Sequence, residues 1–322
     1  MAESPPKGAL YGGQAVIEGV MIRGASDAVV AVRKPDGEIM VQTLPQSKLW
    51  LSRWRRILFL RGIAVLAETL TLGMKALAVS ANAALPQEDG EPAEEQTLGG
   101  LALGGMIALS LTLAIVIFFI IPLFLSRGLE SFGWNNWTAN AGEGGIRILL
   151  FLGYIWLIGR MSDIQRLYGY HGAEHMAVHA HENGDPLTPE GLRLHPTAHS
   201  RCGTAFLLTV VLVSIIAFMF FPRDPLWIHF ASRIVLIPVV AAVSYEIIRF
   251  NGRHADWWWI KVVAWPSLLL QNLTTKQPDD GQCEVAIASI QAAIALNNGE
   301  AVSTGTPVPS DPEQASGAST AE

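Results

Sequence analysis

The chain has 322 residues, half of them hydrophobic and only 16% charged, with a formal net charge of -6. With a positive mean hydropathy, those values exclude a pair of ordinary soluble domains and point to a membrane protein with polar parts outside the bilayer. The acidity sits largely in a linker and a tail, and no basic tract offers a nucleic-acid surface.

Two cysteines, Cys202 and Cys283, lie far apart in unlike contexts, so no structural disulfide is expected and a reducing compartment fits. The first residues, Met-Ala-Glu-Ser-Pro-Pro-Lys, lack the apolar core of a secretory signal, so insertion is expected to use internal segments.

Residues 1–48 read as a small β-rich cytoplasmic unit. Two alternating runs beginning at Val29 and Glu38 flank Lys34-Pro-Asp-Gly37, a turn in which proline fixes φ and glycine supplies φ > 0. Upstream, glycines bracket a short apolar run between Tyr11 and Gly24. A strand with tight turns is the simpler reading; a strand whose backbone something approaches closely is the alternative.

A helix over residues 49–85 follows, with Arg53, Arg55 and Arg56 at its start. Arg61, Glu68, Lys75 and Asn82 recur every seven residues, a spacing that drifts only about 20° per step and so makes one polar stripe. Spanning would bury charges at roughly 2.5–3.5 kcal/mol each, so an interfacial or packed position is expected. Residues 86–98 are an acidic, proline-containing linker to which no structure is assigned.

Four membrane segments are expected, at residues 101–125, 146–158, 205–221 and 226–248, grouped as hairpins over 99–160 and 205–249. Ten Lys or Arg precede the first, and Arg160, Arg166, Arg193 and Arg201 lie between the hairpins. That distribution predicts both termini and the intervening 161–204 segment in the cytoplasm. The fourth segment carries Arg233, expected to reach for headgroups, and Glu246, expected at the level of the 161–204 segment.

Six of the eight histidines fall in residues 170–202 of that segment. His171-Gly-Ala-Glu174-His175 matches H-x-x-E-H, the inverted zinc-protease motif. On a helix both imidazoles project from one face, with Glu174 to one side and Glu182 between them in projection. Two neutral imidazoles hold a divalent metal, and an adjacent carboxylate can take a proton from water. His195, His199 and Cys202 add further donors for borderline-soft metals, and Glu246 is the in-membrane carboxylate to test as a partner. Ser162-Asp-Ile-Gln165 has the form of a capping box at the start of this helix, and Asn183-Gly184 of a left-handed stop. Gly172 costs about 1 kcal/mol inside a helix, which suits a close approach to the backbone there.

Beyond the fourth segment, Trp257-Trp-Trp259 and Trp265 read as an aromatic belt, and an amphipathic helix over 282–296 closes an interfacial stretch at 250–297. Residues 298–322 read as a disordered tail. The fold class is therefore a mainly α, polytopic membrane protein with about four transmembrane helices, a small β-rich unit and a cytoplasmic metal-site helix and loop.

Several blocks together, from Tyr11-Gly-Gly-Gln-Ala-Val-Ile-Glu-Gly-Val-Met through Leu60-Arg-Gly, Tyr170-His-Gly-Ala-Glu-His, His199-Ser-Arg-Cys-Gly-Thr204, Ser244-Tyr-Glu246 and Leu273-Thr-Thr, resemble the bacterial YqhQ-like family. That family is a domain of unknown function described as a predicted metal-dependent membrane enzyme. The resemblance implies a membrane location and a metal, and carries the motif onto His171, Glu174, His175, His199, Arg201, Cys202 and Glu246. Met176 stands where a lysine is expected and Ser200 where a proline is; neither would be a ligand. His179, His181 and His195 look particular to this chain.

The expected activity is metal-dependent hydrolysis of a peptide or lipid at the membrane face. His171 and His175 would be ligands, Glu246 or His199 would complete the set, and Cys202 would ligate or pack. Glu174 would be the general base and Arg201 would stabilise developing negative charge. Zinc suits mixed His and carboxylate donors, with Fe and Mn as alternatives. Two rival readings are a di-iron oxidase, from the H-x-x-x-H pairs 171/175, 175/179 and 195/199, and a scaffold or regulator with a structural metal. The lipid bilayer is the expected partner, and an oligomer is compatible with all three.

Overall fold

The computed structural model describes residues 11–24, 27–45, 57–84, 100–130, 133–199, 202–254 and 257–300. The 86–98 linker, the first turns of the 49–85 helix and nearly all of the tail lie outside them.

The N-terminal unit is an antiparallel meander of β1 (Gly12–Val16), β2 (Gly19–Arg23), β3 (Ala28–Arg33) and β4 (Ile39–Leu44) in that order. The β3–β4 turn closes on Gly37 at φ 91°, whose N–H donates to the Lys34 carbonyl at 3.0 Å. Helices follow: α1 (Leu60–Ala83), α2 (Gly100–Ile115), α3 (Ile121–Glu130), α4 (Asn136–Ile158) and α5 (Ser162–Asn183). Then come α6 (Pro189–Leu192), α7 (Gly203–Met219), α8 (Leu226–Arg253), α9 (Trp258–Thr274) and α10 (Asp280–Asn297).

Register puts Val20 opposite Ala31 and Ala31 opposite Val41, so these share one face of the sheet. That face packs on Tyr170, Ala173 and Ala177 of α5 and on Ala286 and Ile290 of α10. The alternate residues Met21, Val30 and Val32 face the other way, against Leu72 and Ala76 of α1. With both faces covered, β3 reads Ala-Val-Val-Ala-Val without polar alternation. The sheet is the middle of three layers. α10, expected as an amphipathic surface helix, is buried in that sandwich, and it carries a formed capping box between Asp279 and Gln282.

Four helices are long and apolar enough to cross a membrane: Leu60–Ala83, Ala108–Gly128, Asn136–Ile158 and Leu226–Arg253. The set differs from the expected one. α1 qualifies because residues off its polar stripe are apolar, and two charges of that stripe are paired: Arg23 lies 3.1 Å from Glu68, and Arg61 reaches Glu246 on α8. α7, apolar but 17 residues long, packs between α4 and α8.

The second span begins ten residues before its expected start at 146, because the polar groups in that stretch are paired inside the bundle. The Glu143 carboxylate accepts from Arg147 at 2.9 Å, Arg223 at 3.2 Å, Arg233 at 3.2 Å and His229 at 3.1 Å. Arg233, expected to reach headgroups, is instead 4% exposed in this cluster. Arg147 also donates from Nε to the Phe118 carbonyl at 2.9 Å, within the π turn Val116–Ile120 between α2 and α3. A π turn widens the helix and frees carbonyls for an outside donor.

α5 ends at Gly184 with φ 75°, the left-handed cap its sequence implies. Its start differs from expectation. Met161 is the N-cap, and the Ser162 hydroxyl donates to Asp163 instead of capping the backbone. Gly172 meets the segment after α9, where an added Cβ would run into the carbonyl oxygen of Lys276. Backbone cannot yield as a side-chain tip does. We therefore expect Gly172→Ala to cost about 1–3 kcal/mol and lower the thermal unfolding midpoint. Gly145→Ala, with nothing within 4 Å of its Cβ, should leave the midpoint unchanged or raise it.

Candidate metal centre

One face of α5 enters the sheet core; the other meets the loop between α6 and α7 and the C-terminal end of α9. Three imidazoles on that second face are each fixed by a backbone carbonyl. His171 Nδ1 is 2.8 Å from Thr274 O, His175 Nδ1 is 2.6 Å from Thr197 O, and His179 Nε2 is 3.0 Å from Ala198 O. A carbonyl only accepts, so each of these nitrogens carries the proton. The opposite nitrogen then presents a lone pair, as in metal-ligating histidines held by outer partners.

Two of these rings meet a thiol. His171 Nε2 lies 3.2 Å from Cys202 Sγ, and His171, His175 and Cys202 place one donor atom each within 4.8 Å of one another. His175 Nε2 is fully buried and has no hydrogen-bond partner, a cost unless something else satisfies it. An orphaned, inward-aimed imidazole lone pair beside a second imidazole and a thiol fits a borderline-soft divalent ion. His179, Glu182 and His199 form a second group of the same span. The rings run in a row, with centroids of His171 and His175 4.4 Å apart, His175 and His199 5.8 Å, and His199 and His179 4.4 Å.

Glu174 stands behind the first group, its Oε2 3.6 Å from His175 Nε2. It is 4% exposed, and burial raises its pKa to about 7 despite the neighbouring His171 ring and the Gly13 N–H, which favour the carboxylate. Gly13 belongs to β1, and a Cβ there would sit 2.8 Å from Glu174 Cγ. The glycine-bracketed strand is thus the closely approached backbone that was the alternative reading of the sequence. Burial, with His171 beside it, pushes His175 down to about 3, and burial lowers His199, so both rings are neutral and competent as ligands. Burial pushes the Cys202 thiol up to about 11, against the Thr204 hydrogen bonds that lower it. A nearby cation would be needed to make it a thiolate. Cys202 also caps α7, its sulfur accepting from Thr204 N at 3.4 Å.

The structure brings together His171, Glu174, His175, His199 and Cys202 of the expected set. Glu246 belongs to neither donor group; both its oxygens accept from Arg61, with Nε at 2.7 Å. Arg201 lies outside the described residues. Residue-by-residue reading also missed Gln271, whose buried amide grips His199 twice. It accepts from His199 N at 2.7 Å and donates to His199 O at 3.0 Å. Only its place in a mostly apolar helix marked it. Gln271→Leu keeps the volume but strips both partners from a buried peptide unit. Hydrogen exchange at the His199 amide should then rise about 10–100-fold, and an unchanged rate would show the clamp to be idle.

Comparison with known proteins agrees with this arrangement of blocks. The family model "Protein of unknown function (DUF1385)" matches residues 57–296. The chain is 36% identical over 298 residues, 89% of its own length and 92% of the relative's, to "Uncharacterized protein YqhQ" of Bacillus subtilis (strain 168). No solved structure matches. With most of both chains aligned, the protein belongs to the YqhQ-like DUF1385 family.

Proposed function

We propose that this chain is a metal-dependent hydrolase working at the cytoplasmic face of the membrane on a peptide or lipid. The observation that carries the reading is the buried, unpartnered His175 Nε2 beside His171 Nε2 and Cys202 Sγ, with a carboxylate 3.6 Å away. His171, His175 and Cys202 would hold the ion, with zinc favoured by the donor set and Fe or Mn sharing it. A divalent ion there supplies Lewis-acid chemistry, polarising a carbonyl or phosphoryl oxygen and acidifying water.

Glu174 Oε2 is the proton acceptor for the attacking water and returns that proton to the leaving group. Gly13 N–H and the His171 ring steady its charged form. Histidine-face burial under the α6–α7 loop keeps bulk water from the reacting groups. The cytoplasmic placement rests on the basic residues: Arg160, Arg166 and Arg193 lie at this end of the bundle, and ten Lys or Arg precede the first of the expected spans. The neighbouring spans suit a substrate delivered from the bilayer surface.

A second reading is favoured by the depth of the site. With Glu174 4% and His175 2% exposed, the group resembles a closed structural metal site in a scaffold or regulator.

Metal analysis of the full chain purified in detergent without chelator tests the common part. We expect about one ion per chain in wild type and next to none in His171→Ala/His175→Ala. Equal, near-zero metal in both removes either reading. Glu174→Gln separates them: catalysis predicts retained metal with cellular function lowered about 10²–10⁴-fold, whereas a structural ion predicts both retained.

A further inference from the structure

Glu246 was the in-span carboxylate to test, and the metal centre leaves it unused. It lies near the C-terminal end of α8, tied through both oxygens to Arg61 of α1. The pair lines a cavity of about 520 Å³ to which Arg249 and Arg253 also contribute. Three guanidiniums and one carboxylate therefore line the same cavity. Arg61 is taken by Glu246, Arg249 feels the charge of that carboxylate without bonding to it, and among the described residues neither Arg249 nor Arg253 makes a salt bridge.

The remaining walls have two characters. Val243, Ile247 and the more exposed Val263 make one side apolar. Phe250, His254 and Trp259 form an aromatic shelf that Trp257 extends beyond the lining, with centroids 4.3 Å apart for Phe250–His254 and 5.5 Å for Trp257–Trp259. The surface around it continues in exposed Trp258 and Trp265. Exposed tryptophans at the end of a membrane-long helix mark the headgroup depth. Unpaired guanidiniums there attract and bind phosphate bidentately. A soluble anion needs the arginines but not the apolar side, and an acyl chain needs the apolar side but not the arginines.

We propose that this groove binds one anionic phospholipid, its headgroup phosphate held by Arg249 and Arg253 and its first acyl carbons by Val243, Ile247 and Val263. The Arg61–Glu246 pair positions the groove by locking α1 to α8. Nothing in the proposal depends on a metal or on hydrolysis.

Native mass spectrometry of the full chain released from nanodiscs tests it, with phosphatidylglycerol against phosphatidylcholine as the probe lipids. Wild type should retain one phosphatidylglycerol, about thirty-fold preferred, the factor expected from two arginines at a surface. Arg249→Gln/Arg253→Gln should bring the ratio near unity. Should that variant fail to fold, Arg253→Gln alone, at an exposed helix end, should lower the preference about five-fold. Val243→Trp, which fills the apolar side and spares the arginines, should also release the lipid. Equal retention of the two lipids by wild type overturns the proposal, as does an undiminished preference in the arginine variants. Displacement of the lipid by millimolar inorganic phosphate would show a soluble-anion site and overturn it as well.

Discussion

The arrangement around α5 depends on one constraint: a neutral imidazole has a single N–H, and a backbone carbonyl takes it. Thr274, Thr197 and Ala198 supply those carbonyls from two separate stretches of chain. Each thereby decides which nitrogen of its histidine is left with a lone pair. Gln271 of α9 holds the loop at His199, and the Thr275 and Thr197 hydroxyls lie 3.2 Å apart across the same seam. The donor geometry is consequently a property of the packed protein. An isolated α5 would place its histidines on one face but would not choose their tautomers.

That same helix joins the membrane helices to the sheet. Its small residues, Gly169, Gly172, Ala173, Ala177 and Ala180, let backbone come close on several sides. The sheet presses on Ala173 and Ala177, while Lys276 closes over Gly172. On the remaining side, His171, His175 and His179 each have one nitrogen satisfied by a carbonyl. The β1–β2 turn is pinned to the same helix: the Glu18 carboxylate takes both Arg166, at the helix's first turns, and the Tyr170 hydroxyl at 3.1 Å. Sheet, helix and loop thus meet at Glu174, where Gly13 of β1 touches a carboxylate adjacent in sequence to His175.

Much of this was legible in the sequence, for identifiable reasons. The Lys34-Pro-Asp-Gly37 turn, the Gly184 stop and the i, i+4 placement of His171 and His175 are local, and local geometry decides them. The apolar spans announce themselves by composition. What could not be read is long-range. Ser162 has the spelling of a cap, but Met161 takes the position, and the formed capping box is at Asp279 instead. α10 looked amphipathic because alanines and a serine, residues that carry little hydrophobic signal, make up half or so of its buried face beside Val285, Ile287 and Ile290. Glu143 gave no signal apart from its partners, which are Arg147 one turn along the same helix, Arg223 in the loop before α8, and His229 and Arg233 on α8.

Glu143 and Glu246, two of the carboxylates within long apolar helices, show why an ionisable residue in a span is an ambiguous sign. A lone charge there is costly, so each must be neutralised. Glu143 is surrounded by three guanidiniums and an imidazole in a closed cluster, with the excess positive charge spread over Asn140, Ser126 and backbone carbonyls. Its hydrogen-bonding capacity is filled, and removing it would leave buried arginines facing one another, so its role is to hold helices together. Glu246 meets one guanidinium and is half-open, and the neighbouring Arg249 and Arg253 keep their hydrogen-bonding capacity for something else. The number of cations at a buried carboxylate is therefore less informative than whether a cavity opens onto them. By that measure the closed cluster is a fastening, and the groove beside Arg61 is a place prepared for an anion.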